Sequence, residues 1–119
     1  MQLTMSETVV EMIHEKMRED TRLVLDFDDG VGPFSKQGIC SLNTAFQLVL
    51  ARPDQITNEF DASLTSNLGT VAIKGYTIEQ LDPAMTLTRD VNYNLVLSGQ
   101  SGLLDNHLQL IDAQSWPAV

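Results

Sequence analysis

Two hydrophobic periods divide the chain. Near the N-terminus, Met5, Val9, Met12, Ile13 and Met17 recur at helical spacing, while Glu7, Glu11, Glu15 and Glu19 fall elsewhere on the wheel. The pattern predicts an amphipathic helix from about Met5 to Glu19, with Thr4 and Glu7 in the form of a capping box. A methionine-rich stripe suits a partner groove or a core, and the core is the commoner use. From residue 22 the period falls to two. In "RLVLDFD", Leu23, Leu25 and Phe27 share the inward face, leaving Val24, Asp26 and Asp28 for solvent. "AFQLVLA" repeats the alternation with Phe46, Leu48 and Leu50, and Pro53-Asp54 turns the chain.

"NEFDASLTSNLGTVAIKGY" reads as a hairpin. Phe60, Ala62 and Leu64 alternate, Asn67-Leu68-Gly69 turns, and Val71 and Ile73 alternate back. "YTIEQLDPAM" is a connection and "MTLTRDV" a short strand. "YNLVLSG" and "HLQLID" pair across a loop from Gly99 to Asn106. The tail "AQSWPAV" ends beyond the last strand, with Trp116 a candidate to dock on the body. One helix and about seven short strands make a mainly β domain, a β-sandwich or flattened barrel of short strands. Neither strand–helix alternation nor a glycine-rich strand-to-helix turn is present, so a Rossmann fold or P-loop is not supported.

The 119 residues fit one domain. Seven Lys and Arg stand against 16 Asp and Glu, a net charge of −9, and the cations are scattered. Without a basic stripe, nucleic-acid and anionic-membrane binding are not expected. No apolar run of membrane-spanning length and no signal-peptide pattern occurs, and one cysteine excludes a disulfide framework. A reducing cytoplasm is the simplest compartment.

Chemistry concentrates between about Asp29 and Asn43, a connection long enough to suggest function. An EF-hand frame with Gly30 at its sixth position puts Leu25 first and Lys36 twelfth, both wrong for calcium. Zinc and iron–sulfur sites need several soft ligands. Here Cys40, His14 and His107 have no metal-binding spacing. As a nucleophile Cys40 needs a base such as His107 or His14; as a structural residue it is a small buried hydrophobe. Asp26 and Asp28 could act as acid and base, but a solvated strand face explains them more simply. Gly30, Gly32 and Gly38 permit positive φ, and Pro33 stiffens the middle of the loop. An anion at the loop's amides would be repelled by Asp28 and Asp29. Phe34 suits a partner pocket, with Val31 and Pro33 beside it, or else its own core.

The order of these pieces resembles the HesB/IscA-type iron–sulfur cluster biosynthesis domain, and in its cysteine poverty the small members from lactic-acid bacteria. "LTMSETVVEMIHEKM" is similar to that family's opening strand and helix, and "RLVLDFDDGVGPFSKQGICSLNTAFQLVLA" to its first long hairpin. "LGTVAIKGYTIEQLDPAMTLT" is similar to the following segment, with Gly69, Val71, Ile73 and Leu81 in the matching roles. The resemblance implies one HesB-like domain over 1–119, with a core of about 1–112, and a non-enzymatic role in cluster assembly or iron handling. Typical members use three cysteines, one in the first hairpin and two in a C-terminal Cys-Gly-Cys. Cys40 falls in the right hairpin and the C-terminal pair has no counterpart. The resemblance thus implies a degenerate member with altered or lost cluster binding. Asp28, Asp29 and His107 join Cys40 as candidate metal ligands, for iron or an iron–sulfur cluster, and no cofactor is the other outcome. The alternative is a metal-free interaction module contacting a protein partner through Val31, Pro33 and Phe34. A homodimer would bring two Cys40 thiols together.

Overall fold

Alternation becomes strand wherever the sequence shows it cleanly. The computed structural model describes residues 1–34 and 45–117. It contains strands β1 (Gln2–Met5), β2 (Arg22–Asp28), β3 (Ala45–Ala51), β4 (Ala62–Ser66), β5 (Gly69–Ile73), β6 (Ala84–Arg89), β7 (Leu95–Gly99) and β8 (Gly102–Asp112). One α-helix, α1 (Glu7–His14), lies between β1 and β2. The strands close into a barrel in the order β1-β4-β5-β2-β3-β8-β7-β6, with β6 pairing back to β1. Closure removes the exposed sheet edges that a sandwich of short strands would leave.

The local pairs are antiparallel, β2 with β3, β4 with β5, β6 with β7 and β7 with β8. The seams between them are parallel, β2 with β5, β3 with β8, and β1 with both β4 and β6. The interior is aliphatic, built on Leu3, Leu25, Leu48, Leu50, Ile73, Leu87 and Leu97. Val9 and Ile13 of α1 are buried in the same core, each contributing roughly 1.5–3 kcal/mol. The amphipathic stripe is therefore core.

The helix begins later than the capping-box pattern predicts. Leu3 and Met5 are drawn into the barrel as β1, pairing with Met85 and Leu87, so Thr4 is a strand residue. Ser6 is the N-cap, and its side chain accepts a hydrogen bond from Val9 N at 3.4 Å. The expected loop from Gly99 to Asn106 is mostly strand. Gly99 pairs with Gly102 across a tight turn, and register shifts further along β7 and β8 break the two-residue period.

A second apolar cluster lies outside the barrel wall. Val24, Phe34, Val49, Ala51, Phe60 and Ala113 are buried together there. The tail does not simply run past the last strand. Arg52 Nη1 donates to the carbonyls of Gln114 and Trp116, and Gln55 Nε2 donates to Ala113 O at 2.7 Å. Trp116 packs on Phe34 with ring centroids 6.2 Å apart. Strand β2 is consequently buried on both faces, which overturns the solvated reading of Val24 and Asp26.

Candidate functional site

Buried carboxylates need partners, and Asp26 finds two on neighbouring strands. Its antiparallel partner in β3 is Gln47, whose Nε2 donates to Asp26 Oδ2 at 2.9 Å. On the other side Val24 pairs with Ala72 in the parallel β5 seam. Continuing that register by two residues sets Asp26 beside Lys74, and Lys74 Nζ stands 3.0 Å from Asp26 Oδ1. Both side chains are 0% exposed.

Lys74 also gathers the start of the Cys40-bearing connection. Its ammonium donates to Asp29 Oδ1 at 2.8 Å, to Phe27 O at 3.0 Å and to Val31 O at 2.6 Å. Tyr76 OH donates to Asp29 Oδ2 at 2.6 Å. Gln47 Nε2 donates a second bond, to Phe34 O at 2.9 Å. The chain folds tightly enough to reach these partners because Gly30 and Gly32 adopt φ of +87° and +94°, where a side chain would be strained. Gly32 packs against Phe60, which with Phe34 roofs the cluster.

One ammonium serves two carboxylates, and their environments drive them apart. Burial raises the Asp26 carboxyl above its ordinary value, against hydrogen bonds from Gln47 and Lys74 that pull it down. Burial also works to raise Asp29, but hydrogen bonds from Lys74 and Tyr76 outweigh it and hold Asp29 below the usual range. For Lys74 burial works downward, and the bonds to Asp29 and Asp26 raise the ammonium above its ordinary value.

The sequence-predicted residues separate in space. Asp29 joins the Lys74 cluster. Asp28 lies half-buried at the end of β2, opposite Ala45. His107 is exposed on β8, its Nδ1 2.9 Å from Asn94 Oδ1. Cys40 and Gly38 lie outside the described residues. Among the described residues no group of three or more His, Cys, Asp or Glu is assembled as a metal ion requires. Phe34 is 3% exposed and takes the core alternative, filling a pocket of its own chain between Phe60 and Trp116. Val31 remains exposed and Pro33 half-buried beside it.

Lys74, Gln47 and Tyr76 escape a sequence reading. The one available signal is parity, since Lys74 follows Ile73 and so faces the same side as Ala72. That side becomes interior only once the outer cluster is known.

Fold and site together define a small closed β-barrel whose one long connection, anchored by a buried lysine, carries its single thiol. The chain belongs to the Iron-sulphur cluster biosynthesis family, whose model matches residues 1–112. It is similar to a candidate Fe-S biosynthesis protein from Lactobacillus salivarius, described as having a novel fold. The two share 29% identity over 97% of this chain and 100% of that one, with a TM-score of 0.86. A candidate Fe-S biosynthesis protein from Lactobacillus acidophilus shares the fold at 18% identity, covering 94% of this chain and 90% of that one, with a TM-score of 0.72. Among curated proteins none matches.

The described residues do not fit a metal or a cluster. The Lys74 ammonium occupies the point where the Asp26 and Asp29 carboxylates converge, and a cation there would have to displace a fixed positive charge.

Proposed function

We propose that this chain is a degenerate member of its family, acting in cluster assembly or iron handling in the cytoplasm with cluster binding altered or lost, and without enzymatic turnover. The observation that carries this reading is Lys74. Its ammonium lies within 3.0 Å of Asp26 and Asp29, so these two carboxylates at the start of the thiol-bearing connection already hold a cation of their own. The thiol count supports the same conclusion. Clusters are held by several thiolates, and Cys40 is the chain's one cysteine. Consistent with a protein not inserted by helices, no helix among the described residues is long and apolar enough to cross a membrane.

The test is anaerobic reconstitution with ferrous iron and sulfide, wild type beside Cys40→Ser. The expected result is substoichiometric iron after desalting and no cluster absorbance, alike in both proteins. A stoichiometric chromophore in the wild type that disappears in Cys40→Ser overturns the reading.

A further inference from the structure

The aromatic rings of the chain gather at one place. There are one Trp, two Tyr and four Phe, and four of these seven stand in an arc beside the Lys74 cluster. Trp116 lies against Phe34, whose ring centroid is 5.7 Å from that of Phe60. Lys74 Nζ continues the arc, 6.0 Å from the Phe60 centroid and 5.9 Å from that of Tyr76. Phe34 and Phe60 in the middle are buried, and core packing explains them. Packing does not explain the ends. Tyr76 is 56% and Trp116 40% exposed, and Val31, 41% exposed, lies beside Lys74, from which its carbonyl accepts.

Both ends are pinned. Tyr76 OH donates to Asp29 Oδ2, and the Trp116 carbonyl accepts from Arg52 Nη1 at 3.0 Å. Rings held in this way present their apolar faces with little ordering cost, and Tyr and Trp are the residues that most often dominate a binding energy. The charge around the arc has one sign. Exposed Glu59 precedes Phe60, and exposed Asp61 follows it, its Oδ1 accepting from Gly75 N beside Tyr76 at 2.7 Å. Asp28 is half-buried next to Asp29. Among the described residues none of these three carboxylates has a salt bridge. The neighbouring cations are already engaged. Lys74 is enclosed by Asp26 and Asp29, and Arg52 holds Asp54 and the carbonyls of the tail.

We infer that this aromatic arc is the docking surface for a basic segment of another protein, whose apolar centre covers Val31, Tyr76 and Trp116 and whose Lys or Arg flanks meet Glu59, Asp61 and Asp28. The occupant follows from charge. A rim of unpaired carboxylates on a molecule of net charge −9 attracts cationic side chains and repels acidic segments, nucleic acid and anionic membranes. The apolar arc then decides which basic segment stays, because a purely polar one leaves the exposed rings in water. Docking here requires no metal and no thiol, so it stands apart from the reading of Cys40.

Fluorescence anisotropy of labelled peptides of about 12 residues, with chelator present, tests it. The basic probe has Leu and Phe at its centre and Arg at both ends. A second probe carries Glu for each Arg, and a third carries Ser for each Leu and Phe. The expected Kd of the basic probe is about 10–100 µM at low salt, since the arc is smaller than a standard interface, and added salt weakens it. The other two probes bind at least about tenfold more weakly. Trp116, the chain's one tryptophan, shifts its emission to the blue as the basic probe covers it. Trp116→Ala and Glu59→Lys each weaken binding about tenfold, whereas Glu11→Lys, the same charge change at an exposed position of α1, binds like wild type. Thermal melting checks that Trp116→Ala is folded. A basic probe that does not bind overturns the inference. So does either altered probe binding as tightly, or Trp116→Ala and Glu59→Lys binding as well as Glu11→Lys. The chelator separates this test from cluster reconstitution, so either result can fail without the other.

Discussion

Lys74 has its side chain wholly inside the protein, which a lysine tolerates only when paired. Its three protons face two carboxylates and two carbonyls, so the residue holds β2, β5 and the root of the long connection at one point. Lys74→Met keeps the length and removes the charge, orphaning Asp26. The expected cost is about 3–5 kcal/mol in urea denaturation at neutral pH. Adding Asp26→Asn should recover most of it, because the unpaired buried charge is then gone, and failure to recover would place the cost in packing instead. The pH dependence has a definite sign. Asp29 is held below its ordinary value, so its contribution is full above the unfolded carboxylate pKa and is lost as pH falls through the folded one. Asp26 is raised and works in the opposite sense, favouring the fold as acid neutralises it. Asp29→Asn should therefore lose less stability than wild type on acidification below about pH 5. Equal acid slopes in the two proteins would exclude Asp29 as a source of the dependence. Asp26 and Asp29 were conspicuous in the sequence as acidic residues. What they bind was hidden, because Lys74 is 48 residues from Asp26 and the seam joining them is parallel.

At the scale of elements, agreement follows the regularity of the local signal. The alternating segments "RLVLDFD" and "AFQLVLA" are β2 and β3 residue for residue, and the predicted Asn67-Leu68-Gly69 turn joins β4 to β5 with Gly69 at φ +108°. Asn67 adds a tie that no local reading supplies, exchanging two hydrogen bonds with the backbone of Met5 in β1. The helix start moved because strand pairing competed for Thr4 and Met5, and β8 was undervalued because its bulged register breaks the period. The cap is directly testable. Ser6→Ala should cost about 1 kcal/mol, while Thr4→Ala, at a strand position, should stay within about 0.5 kcal/mol. Thermal unfolding separates them, and the reverse ranking would restore Thr4 as the cap.

At the scale of the whole molecule, the barrel has a second layer over part of its wall, and the candidate site lies beneath it. Phe34, Phe60, Ala113 and the Trp116 tail cover β2 and β3 from outside, so the polar cluster and the tail belong to one packed unit. Phe34→Ala should then cost about 3–5 kcal/mol, as for a buried core aromatic. Trp116 is 40% exposed and should cost clearly less on truncation. Denaturant midpoints of the two variants give the ranking. A near-neutral Phe34→Ala would return that side chain to the list of surface contacts.

Short-range information alone determined much of this protein. Alternation marked which segments become strands, turn residues marked the hairpins, composition set the acidity, and the count of thiols limited cluster chemistry to one sulfur per chain. These are properties of residues a few positions apart or of simple totals. Tertiary structure decided barrel closure, the burial of the outer face of β2, and the partnership of Lys74 with Asp26 and Asp29. Each depends on which strands lie side by side across parallel seams. That choice is made by packing between segments far apart in the chain, and no local periodicity records it.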